Sequence, residues 1–249
     1  MNLAEVAARK KDVPASLSAL GKFSHYKPES DNIVRKAEVK SSPALEGMKK
    51  AWAECGEIEN FEKSYSEMLV RIKDIRYSAK DVEAFCIMLP EFQNEANFSF
   101  KAGLYLSALM NNCAEDGFNI ATIHIDIPIN HLGYQNTKSI IVEGDAGHFL
   151  GAWMKSGNLT VKGSVDHHLG TGMEGGTLTV EGGAGMFIGH TLYGGTIVVN
   201  GNAGSNIGSQ MEGGEIRLFG EKFALNHDIK GGKIFHKEEL IWPEGGGSG

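Results

Sequence analysis

His148 and His167 stand 19 residues apart, and Asp166 and His168 flank the second of them. If that spacing is a structural period, the two imidazoles stack on adjacent turns of the chain. Stacked imidazoles can share a metal cation or pass a proton, with the aspartate as a further ligand or partner. The next members of the column are Met186 and Ser205, so the ladder of histidines ends after two. The competing reading is a pair of solvated turn histidines beside a column of Phe149, His168 and Phe187. A second group lies upstream, where Ile123, Ile125, Ile127 and Ile129 alternate with His124, Asp126 and Pro128 within residues 119–129. A strand there, ending as an edge at Pro128, puts His124 and Asp126 on one face, close in sequence to His131. One strand face turned to solvent accounts for them equally well. The candidate catalytic residues are therefore Asp126, His131, His148 and His167.

Other chemistries find no support. Cys55, Cys86 and Cys113 form neither a CxxC pair nor a disulfide framework, and they read as small apolar side chains in a reducing compartment. Glycine-rich loops can cradle phosphate, but a dinucleotide site needs the loop to open a helix. Here each glycine cluster leads into another strand. No column supplies the regular aspartates of calcium-binding repeats. Thr177 and Thr179 lack sustained threonine equivalents, so no flat threonine face forms. The sequence contains no GxSxG and no HExxH. No cofactor, no metal and no catalytic activity are assigned to the chain alone.

What must position these residues is a repeat. Gly144, Gly163, Gly182, Gly201 and Gly220 fall 19 residues apart, as do Gly151, Gly170, Gly189 and Gly208, and Gly157, Gly176, Gly195 and Gly214. Three glycine columns in register mark one supersecondary unit used repeatedly. Apolar columns keep the same step: Ala146 to Ala203, Leu150 to Ile207, Met154 to Met211, Leu159 to Ile216, and Val161 to Leu218. Five inward positions per turn, with polar residues between, describe a parallel β-helix whose side chains stack about 4.8 Å apart on their equivalents. The repeat spans residues 140–235. Before Gly144, Thr137 and Lys138 replace the glycine pair. After Gly220 the pattern returns one residue early, with Leu225, Ile229, Gly231, Gly232 and Ile234. Such departures belong to end coils.

Residues 46–118 read as helical. Leu45, Met48, Trp52, Cys55 and Ile58 form one apolar stripe, and Phe61, Tyr65, Met68, Ile72 and Ile75 continue it. Ser78 is an N-cap signal, and Phe100–Met110 is the most apolar helical stretch. Residues 1–45 are polar, with eight basic against five acidic residues, and are expected to be a partly disordered arm that orders against a partner. Residues 243–249 read as a linker-like tail. The expected fold class is α+β: an N-terminal helical region, then a β-helix over 119–242 with about five 19-residue coils. A net charge of -7 argues against nucleic acid as the main partner. No stretch reaches the length of a membrane span, and the start carries no signal-peptide run. The expectation is a soluble cytoplasmic protein.

The coil unit G-x-A-G-x-x-x-G-x-x-M-x-G-G-x-[LI]-x-V-x-G is best seen between Gly182 and Gly201, which begins GGAGMFIG and ends GGTIVVNG. It resembles the GXGXG family, which includes the C-terminal domain of the glutamate synthase large subunit and the β-helix subunit of formylmethanofuran dehydrogenase. The regular period and the M-x-G-G corner look closer to the latter. The resemblance implies right-handed β-helices that hold catalytic neighbours without carrying their flavin, iron–sulfur cluster, metal or nucleophile. It implies a non-catalytic scaffold or subunit of an oxidoreductase or amidotransferase-type assembly, partnered by other subunits or by its own copies. The rivals are a stand-alone enzyme with a site near Asp126, His131 and His148, and a small-ligand or polymer binder using one solenoid face.

Overall fold

Three polar residues start the helices. Ser42 Oγ accepts from the Leu45 amide, with Pro43 at the first turn, and α1 runs Pro43–Glu54. Asn60 caps α2, Phe61–Ile72. Ser78 and Asp81 form a reciprocal capping box at the start of α3, Ala79–Met88. A short 3-10 turn, Leu89–Phe92, leads towards α4, Phe98–Asn112. The computed structural model describes residues 41–243. The arm expected over 1–45 therefore lies almost wholly outside the described residues, and its last three positions belong to α1. Most of the tail lies outside them too.

Eight strands follow: β1 Gly117–Ala121, β2 Ser139–Glu143, β3 Asn158–Val161, β4 Thr177–Val180, β5 Thr196–Val199, β6 Glu215–Leu218, β7 Lys233–His236 and β8 Glu239–Trp242. They form one sheet in sequence order, parallel from β1 to β7, with β8 returning antiparallel. This is a parallel β-solenoid. From β2 to β6 each strand pairs with the residue 19 positions on, as in Leu159 with Leu178 and Leu178 with Ile197. All five apolar columns point inward: the Leu150, Leu159, Met154 and Val161 sets are buried, and so is the smaller Ala146 set. Burying each large side chain contributes roughly 1.5–3 kcal/mol, so stability accumulates along the stack.

The solenoid has about six coils rather than five. The extra one lies between β1 and β2, where Gly117 pairs with Ser139 across a step of 22 residues. Three additional residues and the missing glycine pair take it out of the period of 19. The last step shortens to 18, because Glu215 pairs with Lys233.

The alternating isoleucines do not make a strand over 119–129. β1 ends at Ala121, and the chain turns at Thr122, whose Oγ1 donates to the Asp145 carbonyl at 2.7 Å. Ile123 is 79% exposed, whereas Ile129 is buried. The Gln93 side chain accepts from the Asp126 amide at 2.8 Å, replacing the ladder bond a strand would have supplied. Local alternation is outweighed here by pairing further upstream, where Phe118 and Ile120 meet Ile140 and Val142.

The helices pack at the β1 end. Glu83 on α3 accepts from the Asn119 amide at 2.8 Å, and Cys86 Sγ lies 3.3 Å from the Ala121 carbonyl. α4 presses so closely on the segment after β1 that a Cβ on Gly103 would overlap the Asn130 carbonyl. Buried residues of the helices and the coils form one continuous cluster.

Candidate functional site

Each coil turns one corner through left-handed backbone that is not reserved for glycine. His131, Phe149, His168, Phe187 and Asn206 occupy equivalent places with φ between 60° and 64°. A side chain in this region costs on the order of 1–2 kcal/mol. The rings offset that cost by stacking: His131 on Phe149 at 4.7 Å, Phe149 on His168 at 4.5 Å, and His168 on Phe187 at 4.9 Å between centroids. Those spacings match the strand repeat, so the ladder is a direct product of coil stacking. Phe61, the first residue of α2, continues it at 4.2 Å from His131.

His148 and His167 form a shorter ladder alongside, with ring centroids 5.3 Å apart and 18° between planes. Their Nδ1 atoms are occupied. His148 Nδ1 accepts from the His167 amide at 3.3 Å, and His167 Nδ1 accepts from the Met186 amide at 2.8 Å. Asn130 begins the series by accepting from the His148 amide at 2.8 Å. Each side chain thus satisfies one backbone N–H of the following coil. Asp166 approaches His148 Nε2 at 4.0 Å. Among the described residues no group of three His, Cys, Asp or Glu side chains is arranged to hold a metal ion.

The four sequence candidates separate. His131 and His148 are neighbours, since the His131 amide donates to the His148 carbonyl at 2.9 Å. Asp126 is exposed and lines a different depression, of about 360 Å³, with Thr122, Pro128 and Asp145. His124 turns away from both and hydrogen-bonds the Cys86 carbonyl at 3.2 Å. His131 is 3% exposed and its Nδ1 has no partner among the described residues. Burial pushes its pKa down to about 4, with nearby His148 adding repulsion, so at neutral pH the ring is uncharged. Burial also lifts the Cys86 thiol to about 12, which keeps it from acting as a thiolate.

A cavity of about 450 Å³ opens where α2 meets this corner. Phe61, His131, Phe149 and Trp153 supply its rings, and Lys155 and Glu174 stand among its polar groups. Trp153 is 40% exposed and lies flat across the next coil: a Cβ on Gly172 would sit 2.8 Å from the indole. Beyond it Tyr193, 46% exposed, approaches to 6.3 Å between ring centroids. Neither motif nor spacing in the sequence singles out Trp153, Tyr193 or Phe61 as a surface. The one signal was Gly172, a glycine outside the three regular columns, one coil after a tryptophan. No helix among the described residues is long and apolar enough to cross a membrane. No protein-family model and no curated protein sequence matches the chain.

Proposed function

We propose that the protein is a non-catalytic scaffold or subunit, of the kind the GXGXG resemblance implies. It docks onto other subunits of an oxidoreductase or amidotransferase-type assembly in the cytoplasm, or onto copies of itself. The observation that carries this reading is the exposed aromatic surface of Phe61, Trp153 and Tyr193 on a rigid stack of coils. Solvent-facing tryptophan and tyrosine on a preorganised surface are the residues that dominate protein interfaces. The geometry of the histidines supports it further, because the Nδ1 atoms of His148 and His167 are bound by backbone amides. Copurification from the native source, followed by sedimentation of the wild type and of Trp153→Ala with Tyr193→Ala, tests it. The expected result is a complex that the double variant weakens by at least about tenfold, corresponding to ~1.4 kcal/mol. Deleting residues 1–45 removes the first residues of α1 with the arm, so a cut before Ser42 is the cleaner test of the arm's contribution. A strict monomer that binds no protein, yet turns over a small substrate, overturns the scaffold reading.

The second reading, a small-ligand binder or stand-alone enzyme at the junction of helices and coils, draws on the same cavity. Its volume falls within the usual range for ligand sites, roughly 300–1,000 Å³. Of the residues proposed for such a site, His131 lines this cavity, His148 is its neighbour in the fold, and Asp126 belongs elsewhere.

A further inference from the structure

Five of the nine histidines, His131, His148, His167, His168 and His190, gather at one corner of four successive coils. They share one chemical requirement. His148 and His167 use Nδ1 as the acceptor for a backbone amide of the next coil. At His131, His168 and His190 the Nδ1 atom is buried without a partner among the described residues. A buried acceptor without a partner is somewhat less rare than a buried unpaired N–H. The Nδ1 atoms of His148 and His167 serve as acceptors and those of His131 and His168 are buried without a donor to pair with among the described residues, whereas an imidazolium carries a proton on both nitrogens. Protonation of His131 or His168 on Nδ1 buries an unpaired donor.

The rings are also close enough to oppose one another once charged. His148 and His167 stack at 5.3 Å, and His190 meets His168 edge-on at 6.3 Å. Around His131, α2 contributes Phe61 and the Glu62 carboxylate at the rim of the cavity, and α4 contributes Phe100. The coils contribute His148, Lys155 and Glu174. His168 faces His148, His167 and His190. The nearby carboxylates, Asp166, Glu62 and Glu174, are on the solvent side, so water screens the compensation they offer. Burial depresses the pKa of both His131 and His168. For a histidine so depressed, the folded form is favoured above the free imidazole value of about 6.5, and that stability is lost as pH falls towards the folded value.

We propose that this corner is an acid-sensitive latch: protonation of its histidines unfastens α2 from the solenoid and loosens the turns of four coils, while the aliphatic columns stay stacked. Phe61 on His131 is the contact through which α2 joins the ladder, so the opening is directed at the junction. The latch is a property of the isolated chain, independent of any docking partner.

Hydrogen exchange of the purified protein near pH 7.5 and near pH 5, corrected for intrinsic rates, tests this. Amides in 129–135, 147–153, 166–172 and 185–191 are expected to exchange at least about tenfold faster in acid, while β4 to β6 keep their protection. His131→Phe with His168→Phe should abolish most of the acceleration, because Phe149 and Phe187 show that the column accepts phenylalanine at the same φ. His148→Asn with His167→Asn provides a second, independent variant that can keep an acceptor for the neighbouring coil's amide without an imidazole. Equal protection at the two pH values overturns the proposal. So does an acceleration spread evenly over the strands, or an acid response that both variants leave intact.

Discussion

At Gly195 the backbone has φ +83°, and a Cβ would lie 2.7 Å from both the Gly176 carbonyl oxygen and the Met173 methyl carbon. At Gly189, with φ +63°, it would lie 2.6 Å from Ile216 Cδ1 in the core. Strain and overlap act together at these corners, and a β-branched side chain has no rotamer that relieves either. Gly195→Val and Gly189→Val are each expected to destabilise by roughly 3–5 kcal/mol. Gly56→Ala is the control, since a Cβ there meets nothing within 4 Å; it should stay within about 0.5 kcal/mol. Thermal unfolding of the three variants checks the order, and a Gly195→Val protein that melts like Gly56→Ala would show that the corner is not constrained. The neighbouring corner at φ near 60° holds His and Phe, so the same backbone demand is met there by ring stacking rather than by glycine.

Between residues and the whole stack, the elements that matter most are those at its ends. A parallel ladder presents unpaired backbone groups at each end, and an uncovered edge invites pairing with another chain. α3 covers β1, bound there through Glu83 and Cys86. At the opposite end β8 folds back antiparallel on β7. α3 in turn depends on its capping box: Ser78 Oγ donates to Asp81 at 2.7 Å, and the Glu115 carboxylate accepts from the Ala79 amide at 3.0 Å. Ser78→Ala should cost about 1 kcal/mol and raise amide exchange in α3 and β1 together. Exchange rising in α3 alone would mean that the helix does not secure the sheet edge. The aromatic platform is also an element-scale product, since Trp153 rests on Gly172 one coil away and reaches Tyr193 in the coil beyond.

Across the whole molecule, the strand pairing links each coil to the next, and from β2 to β6 the step is constant. Removing residues 182–200 joins Glu181 to Gly201 and leaves every column in register. That deletion should fold with its β-type circular dichroism preserved, losing about 1–3 kcal/mol, the share expected for 19 residues. Removing 182–199 instead shifts the following coils by one residue, turns apolar columns towards solvent, and should yield insoluble protein. Equal behaviour of the two deletions would refute the registered stack.

The repeat was legible in the sequence because the same side chains must pack on themselves in every coil. One column of Leu159, Leu178, Ile197 and Ile216 is enough to display the period. The helix starts at Asn60 and Ser78 are set by local hydrogen bonds, and the Ser78 cap was readable for that reason. The alternation of the segment after β1 suits a strand, but no partner strand lies there to pair with it, and β1 ends at Ala121. The coil before Gly144 shows in the sequence only as an irregular end, since its 22-residue step breaks the period. The positions of Asp126, His131 and His148 could only be decided in three dimensions. Whether they converge depends on how far the helices displace the chain between β1 and β2, and on which nitrogen of each histidine a neighbouring coil's amide claims. Those are contacts between residues distant in sequence, set by packing that no local pattern encodes.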